Sequence, residues 1–117
     1  MTRQQRWALR AHERVLATSK KSHKGEYRTL AMKMPTLIHQ SGLVQALVFV
    51  KSRTGPAPEE FLTHLAEVYG SKNTTALIES AKNAELAAYM ALTRDVTEAS
   101  VWLRRFVQCE IPSEGAE

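Results

Sequence analysis

The chain of 117 residues has one cysteine, five glycines, four prolines and 7% aromatic residues. A lone Cys109 excludes an intramolecular disulfide, fits a reducing compartment and reads as a buried or inert thiol. With glycine and proline scarce and Ala, Leu and Lys/Arg abundant, the composition favours helix over strand and turn. No apolar run approaches the roughly 18 residues needed to span a bilayer. The N-terminus carries basic residues without a following apolar h-region, so a secretory signal is not expected, nor a membrane partner. A cytoplasmic location follows from these readings. Also missing are a Walker loop, a dinucleotide fingerprint, a nucleophile elbow and any zinc-ligand spacing. His12, His23, His39 and His64 are scattered, with no i,i+4 pair and no cysteine nearby. Neither a metal nor a cofactor is expected, and no catalytic residue stands out.

Charge is present in quantity and unevenly placed. Nine of the sixteen basic residues lie in the first 33 positions, against two acids there, Glu13 and Glu26. The remaining positions carry more acids than bases, so the net +4 conceals a polarity along the chain. Arg3, Arg6, Arg10 and Arg14 follow steps of three and four, which on a helix confines them to an arc of roughly 80°. Such a ridge suits a polyanion through attraction and counterion release. A solvated helix face is the plainer reading. Trp7 and Tyr27 are the aromatic residues of this basic third, and both fit core positions better than stacking platforms. Contact with a nucleic acid would therefore be to phosphates, without base readout.

Apolar spacing divides the chain into helices. Residues 3–19 form the first, with Trp7, Ala11, Val15 and Thr18 on one side, beside the arginine ridge. A basic loop over 19–25 precedes a second helix starting near Glu26, with Tyr27, Leu30, Ala31 and Met34 inward. Pro35 should kink or end it, having no N–H for the Ala31 carbonyl. The run 43–50 is apolar on nearly every side and reads as a central buried helix. Pro58, Glu59 and Glu60 suit the first turn of the next, the glutamates serving its dipole. It buries Phe61, Leu62, Leu65 and Val68 and stops at Gly70. A short helix over 75–81 has Asn73 or Thr74 as cap. The last, 84–109, has the seam Leu86, Tyr89, Thr93, Val96, Ser100, Leu103 and Val107. Trp102 and Phe106 beside it serve either the core or a subunit contact, and Arg104 and Arg105 either RNA or an acidic neighbour. These elements predict a single all-α domain of five to seven helices over 1–111, with a short, mobile acidic tail at 112–117.

One pair has enzymatic spacing. Arg6 and His12 form an Arg-x5-His pair like that of HEPN ribonucleases, in which histidine moves a proton and arginine steadies a phosphorane. HEPN enzymes carry it near the start of a late helix, not inside the first.

Three stretches together are more specific. Tyr27-x-x-Leu30-x-x-Lys33-x-Pro35-x-Leu37-Ile38 leads into Gln40-Ser41-Gly42-Leu43-x-Gln45-Ala46-Leu47-x-Phe49. Near the end stand Tyr89-Met90-x-Leu92-Thr93-Arg94 and Trp102-Leu103-Arg104-Arg105-Phe106. With the Gln5-Arg6-Trp7-Ala8 opening, the sequence resembles the small subunit of the type III-B CRISPR Cmr effector complex, an RNA-targeting antiviral assembly, over positions 3–107. Ser41 stands where Asn is often found. The resemblance implies a non-catalytic helical subunit whose copies stack into a filament beside the other Cmr-type subunits, along the guide and target RNA. Arg3, Arg6, Arg10 and Arg14 would then line that RNA path, with Lys20, Lys21, Arg28 and Lys33 behind them. Base pairing with the guide, not the protein, would supply specificity. The runner-up is a free-standing helical nucleic-acid-binding adaptor.

Overall fold

The computed structural model describes residues 1–113, and these form six helices with no strand. They are α1 (Arg3–Thr18), α2 (Lys24–Ser41), α3 (Leu43–Ser52), α4 (Pro56–Tyr69), α5 (Thr74–Asn83) and α6 (Leu86–Glu110). The long α6 lies against both α1 and α2, and α4 packs on the same pair, so these four enclose the core. Trp7, Tyr27, Phe61, Met34, Leu65 and Leu103 are among its largest fully covered side chains. Fully burying one such side chain contributes roughly 1.5–3 kcal/mol.

Local chemistry explains most boundaries. Thr2 and Gln5 form a reciprocal capping box at the start of α1. Asn73 caps α5 by accepting from the Ala76 N–H at 2.8 Å. Gly70 adopts φ +111 at the end of α4, a left-handed conformation that costs glycine little. The inward set foreseen for α1, namely Trp7, Ala11, Val15 and Thr18, is buried without exception.

Two expectations change and one is narrowed. Of the kink or end foreseen at Pro35 the end is excluded, for α2 continues to Ser41, with Tyr27, Leu30, Ala31, Met34, Pro35 and Ile38 buried along it. Packing on both sides of the proline holds the helix where local propensity alone would not. The apolar run 43–50 is helical as α3, yet it sits at the edge, touching α2, α4 and α5. Only Leu43, Ala46, Leu47 and Val50 are buried, while Val48 and Phe49 are 46% and 52% exposed. Cys109 is exposed rather than buried. The mobile acidic tail foreseen at 112–117 falls mainly on 114–117, outside the described residues. No helix among the described residues is long and apolar enough to cross a membrane, and no group of His, Cys, Asp or Glu there has the makings of a metal site.

Candidate nucleic-acid interface

Helix α1 brings the four arginines to one edge, but that edge borders α4 and α6. Arg10 donates to the Val68 carbonyl at 3.2 Å, satisfying an orphan carbonyl in the last turn of α4. Arg14 donates to Glu67 at 2.8 Å and to the Arg10 carbonyl at 3.1 Å. Arg3 reaches Asp95 of α6 at 3.4 Å and lies over the Trp7 ring at 4.8 Å. Arg3 and Arg6 are the exposed members, and Arg6 is bonded only to the Met1 carbonyl, at 2.9 Å. The ridge is therefore part fastening and part free surface. Long side chains at the rim of a core do both, covering apolar surface while their heads find partners.

The second set divides in the same way. Lys20 and Lys33 are exposed and have no salt-bridge partner among the described residues. Lys21 donates to Glu60 at 2.8 Å. Arg28 donates to the Ile111 carbonyl at 2.9 Å, tying the end of α6 to α2. Arg6, Lys20 and Lys33 thus combine exposure with charge that no described acid neutralises.

Lys21 leads to a cluster that sequence reasoning missed. Glu60, taken for a dipole partner at a helix start, has a side chain only 13% exposed. Its carboxylate accepts from the Thr18 hydroxyl at 2.8 Å, from Lys21 at 2.8 Å and from His23. His64 Nε2 lies 3.6 Å away, and Tyr27 Oη is 2.7 Å from His64 Nδ1. Burial raises the Glu60 pKa, but the bonds from Lys21, His23 and Thr18 and the field of His64 outweigh it and hold the group at about 2. Burial drives His64 down to about 4, with Glu60 opposing. Burial and the Glu60 charge together push the Tyr27 phenol up. A neutral His64 then accepts from the Tyr27 hydroxyl at Nδ1 and turns its Nε2–H toward Glu60. The cluster joins α1, α2 and α4 around a fully buried tyrosine, so its chemistry is that of a fastening. Partners 37 to 42 positions apart leave no sequence signal.

The Arg-x5-His pair is not brought together. Six residues of helix turn the side chains roughly 120° apart, and each has another partner. His12 stacks on Phe106 with ring centroids 4.6 Å apart and lies 3.1 Å from Glu110, whereas Arg6 meets Met1. Phe106 stacks in turn on Trp102 at 6.1 Å, and Arg105 lies 5.9 Å over the Trp102 ring. Trp102 donates to Gln4 at 2.7 Å. Of the four residues foreseen for subunit contact, Trp102, Arg105 and Phe106 thus form one half-exposed strip on α6, whereas Arg104 lies roughly 160° round the helix from Phe106 and does not join it.

Known proteins share both sequence and shape with this chain. The family description CRISPR-associated protein Cas_Cmr5 matches residues 3–110. The CRISPR system Cmr subunit Cmr5 of Thermus thermophilus is 44% identical over 110 residues, which cover 94% of this chain and 96% of that protein. A crystal structure of a CRISPR-associated Cmr5 family protein from the same organism matches with a TM-score of 0.92 at 44% identity, covering 95% of this chain and 98% of that one. The resemblance read from the three stretches is therefore confirmed across nearly the whole fold, and the chain belongs to the Cmr5 family of CRISPR-associated proteins.

Proposed function

We propose that this chain is a non-catalytic small subunit of a type III-B CRISPR RNA-guided complex. Its copies stack into a filament with other Cmr-type subunits, and its exposed cations neutralise phosphates along the guide and target RNA. The carrying observation is the match over residues 3–110 to a family whose relative is named as a Cmr subunit. The concentration of charge in the first third supports the RNA contact. Within it, Arg6, Lys20 and Lys33 lead, because Arg3, Arg10, Arg14, Lys21 and Arg28 already hold other elements. Those five act at RNA only to the extent that their remaining N–H groups face outward. The strip of Trp102, Arg105 and Phe106, with Arg104 on the adjoining face, is the surface for a neighbouring subunit.

The test changes Arg6, Lys20 and Lys33 together to Ala in the assembled complex and measures target-RNA affinity against salt. The expected outcome is a log–log salt slope reduced by about 2, since each single-strand phosphate contact contributes about 0.7. An unchanged slope overturns the assignment of these cations. Arg10→Ala and Arg14→Ala are poor probes, because they also loosen α4.

A further inference from the structure

Two of the stretches that carry the family resemblance meet at a place the RNA reading leaves unused. Gly42, where α2 passes into α3, faces Tyr89 of α6, whose hydroxyl oxygen accepts from the Val44 N–H at 3.2 Å. Beside this bond lies a cleft of about 480 Å³ between the end of α2 and the first half of α6. That volume falls in the range of about 300–1,000 Å³ that holds small ligands or a few side chains.

Its interior is largely apolar, with Ile38 and Met90 among the lining residues. Thr93 also lines it, and the Thr93 hydroxyl is buried without a hydrogen-bond partner among the described residues. Leaving such a group unmet costs roughly 1–3 kcal/mol. The Tyr89 oxygen receives the Val44 N–H, and its own proton has no acceptor among the described residues. The Tyr89 hydroxyl is thus free to donate to an acceptor arriving in the cleft, whereas the Thr93 hydroxyl is covered.

The rim adds a sign. Glu98 accepts from Gln4 at 2.9 Å, and Asp95 is gripped by Arg3 at 3.4 Å. Arg94 has a side chain 66% exposed, with only Asp95 near it at 3.6 Å. Toward its N-terminus the α6 seam loses its cover, for Leu86 is 75% exposed while Val96 and Leu103 are fully buried, and Met90 in the cleft lining is 62% exposed. Tyr89 and His39 also line the cleft, but with a single guanidinium and the Glu98 carboxylate among the lining residues it offers a polyanion little net positive charge.

We propose that this cleft receives a peptide segment of another subunit, with an apolar side chain inserted beside Met90 and a carboxylate on Arg94. The inference rests on the assembly reading above and adds to it the surface used and the chemistry of the partner. A backbone carbonyl of the segment accepts from the Tyr89 hydroxyl. The apolar anchor extends the α6 seam that this chain leaves uncovered.

The experiment places a photo-crosslinking benzoylphenylalanine at Met90 of the full chain and assembles the complex with guide RNA. The adduct is mapped by mass spectrometry. The expected result is one segment of another subunit with an apolar residue and an Asp or Glu within a few positions. An adduct on RNA, an adduct on a second copy of this chain, or no adduct overturns the proposal. In parallel, Arg94→Glu should lower incorporation at limiting concentration at least about tenfold, the size of an interface anchor, while Arg94→Lys largely retains it. Equal incorporation of Arg94→Glu also overturns it. Incorporation of the unmodified chain is read first. Its failure would sink the assembly reading itself, whereas normal entry without a Met90 adduct sinks this inference alone.

Discussion

The surroundings of Glu60 and of Thr93 are opposite solutions to burying a polar group in a helical core. Around Glu60, hydroxyl, ammonium and imidazole donors from α1, the following turn and α4 converge until the carboxylate is satisfied. Around Thr93, a single hydroxyl is buried with no partner among the described residues, beside apolar side chains that stand in solvent. One region is complete within the chain. The other has an exposed apolar composition and an unmet hydroxyl, the pattern that the proposed subunit contact requires.

The contrast can be broken most forcefully at Glu60. Replacing it with Ala removes the acceptor shared by Thr18, Lys21 and His23. Lys21, whose side chain is 48% exposed, can turn to water, so the loss is that of the covered bonds, about 1–3 kcal/mol. Denaturant unfolding of Glu60→Ala should show a loss of that order, and a change below about 1 kcal/mol would mean the cluster is dispensable.

Acid should dissect the same cluster. His64 titrates at about 4 in the fold against an ordinary value of 6.5. The unfolded chain therefore binds the extra proton between these values, and stability falls as pH drops from 6.5 to 4. Glu60, held at about 2 against 4.5, extends the loss from pH 4.5 downward. Both act in one direction, and together they amount to a few kcal/mol. Stability measured from about pH 7 to about pH 3 should decline in two overlapping stages, and His64→Gln should flatten the upper one.

The smallest effect belongs to Thr93. Thr93→Val removes a hydroxyl that has no partner among the described residues, so the isolated chain should change by less than about 1 kcal/mol, with stabilisation the favoured sign. Loss comparable to that of Glu60→Ala would erase the distinction between the two regions.

How legible these regions were in the sequence differs for physical reasons. Helix identity was readable because Trp7, Ala11, Val15 and Thr18, or Val96, Ser100, Leu103 and Val107, repeat at helical steps and are indeed buried. The Asn73 cap was readable because capping is local. Partners of Glu60, Arg10 and Arg14 were not readable, since they lie 37 to 58 residues away and charge at helical spacing looks alike whether it meets solvent, RNA or another helix. Val48 and Phe49 misled in the converse way. An apolar residue awaiting a neighbouring protein has the same identity as one awaiting its own core, and only the fold tells them apart.

Gly42 closes α2 and opens α3 with a single residue at φ +86. A junction of that length leaves no slack in the backbone. One added residue would turn α3 by about 100° relative to α2, carrying the Val44 N–H away from the Tyr89 hydroxyl that now holds it. Chain length at this point thus acts as a gauge, setting how the edge of the bundle is indexed against its longest helix.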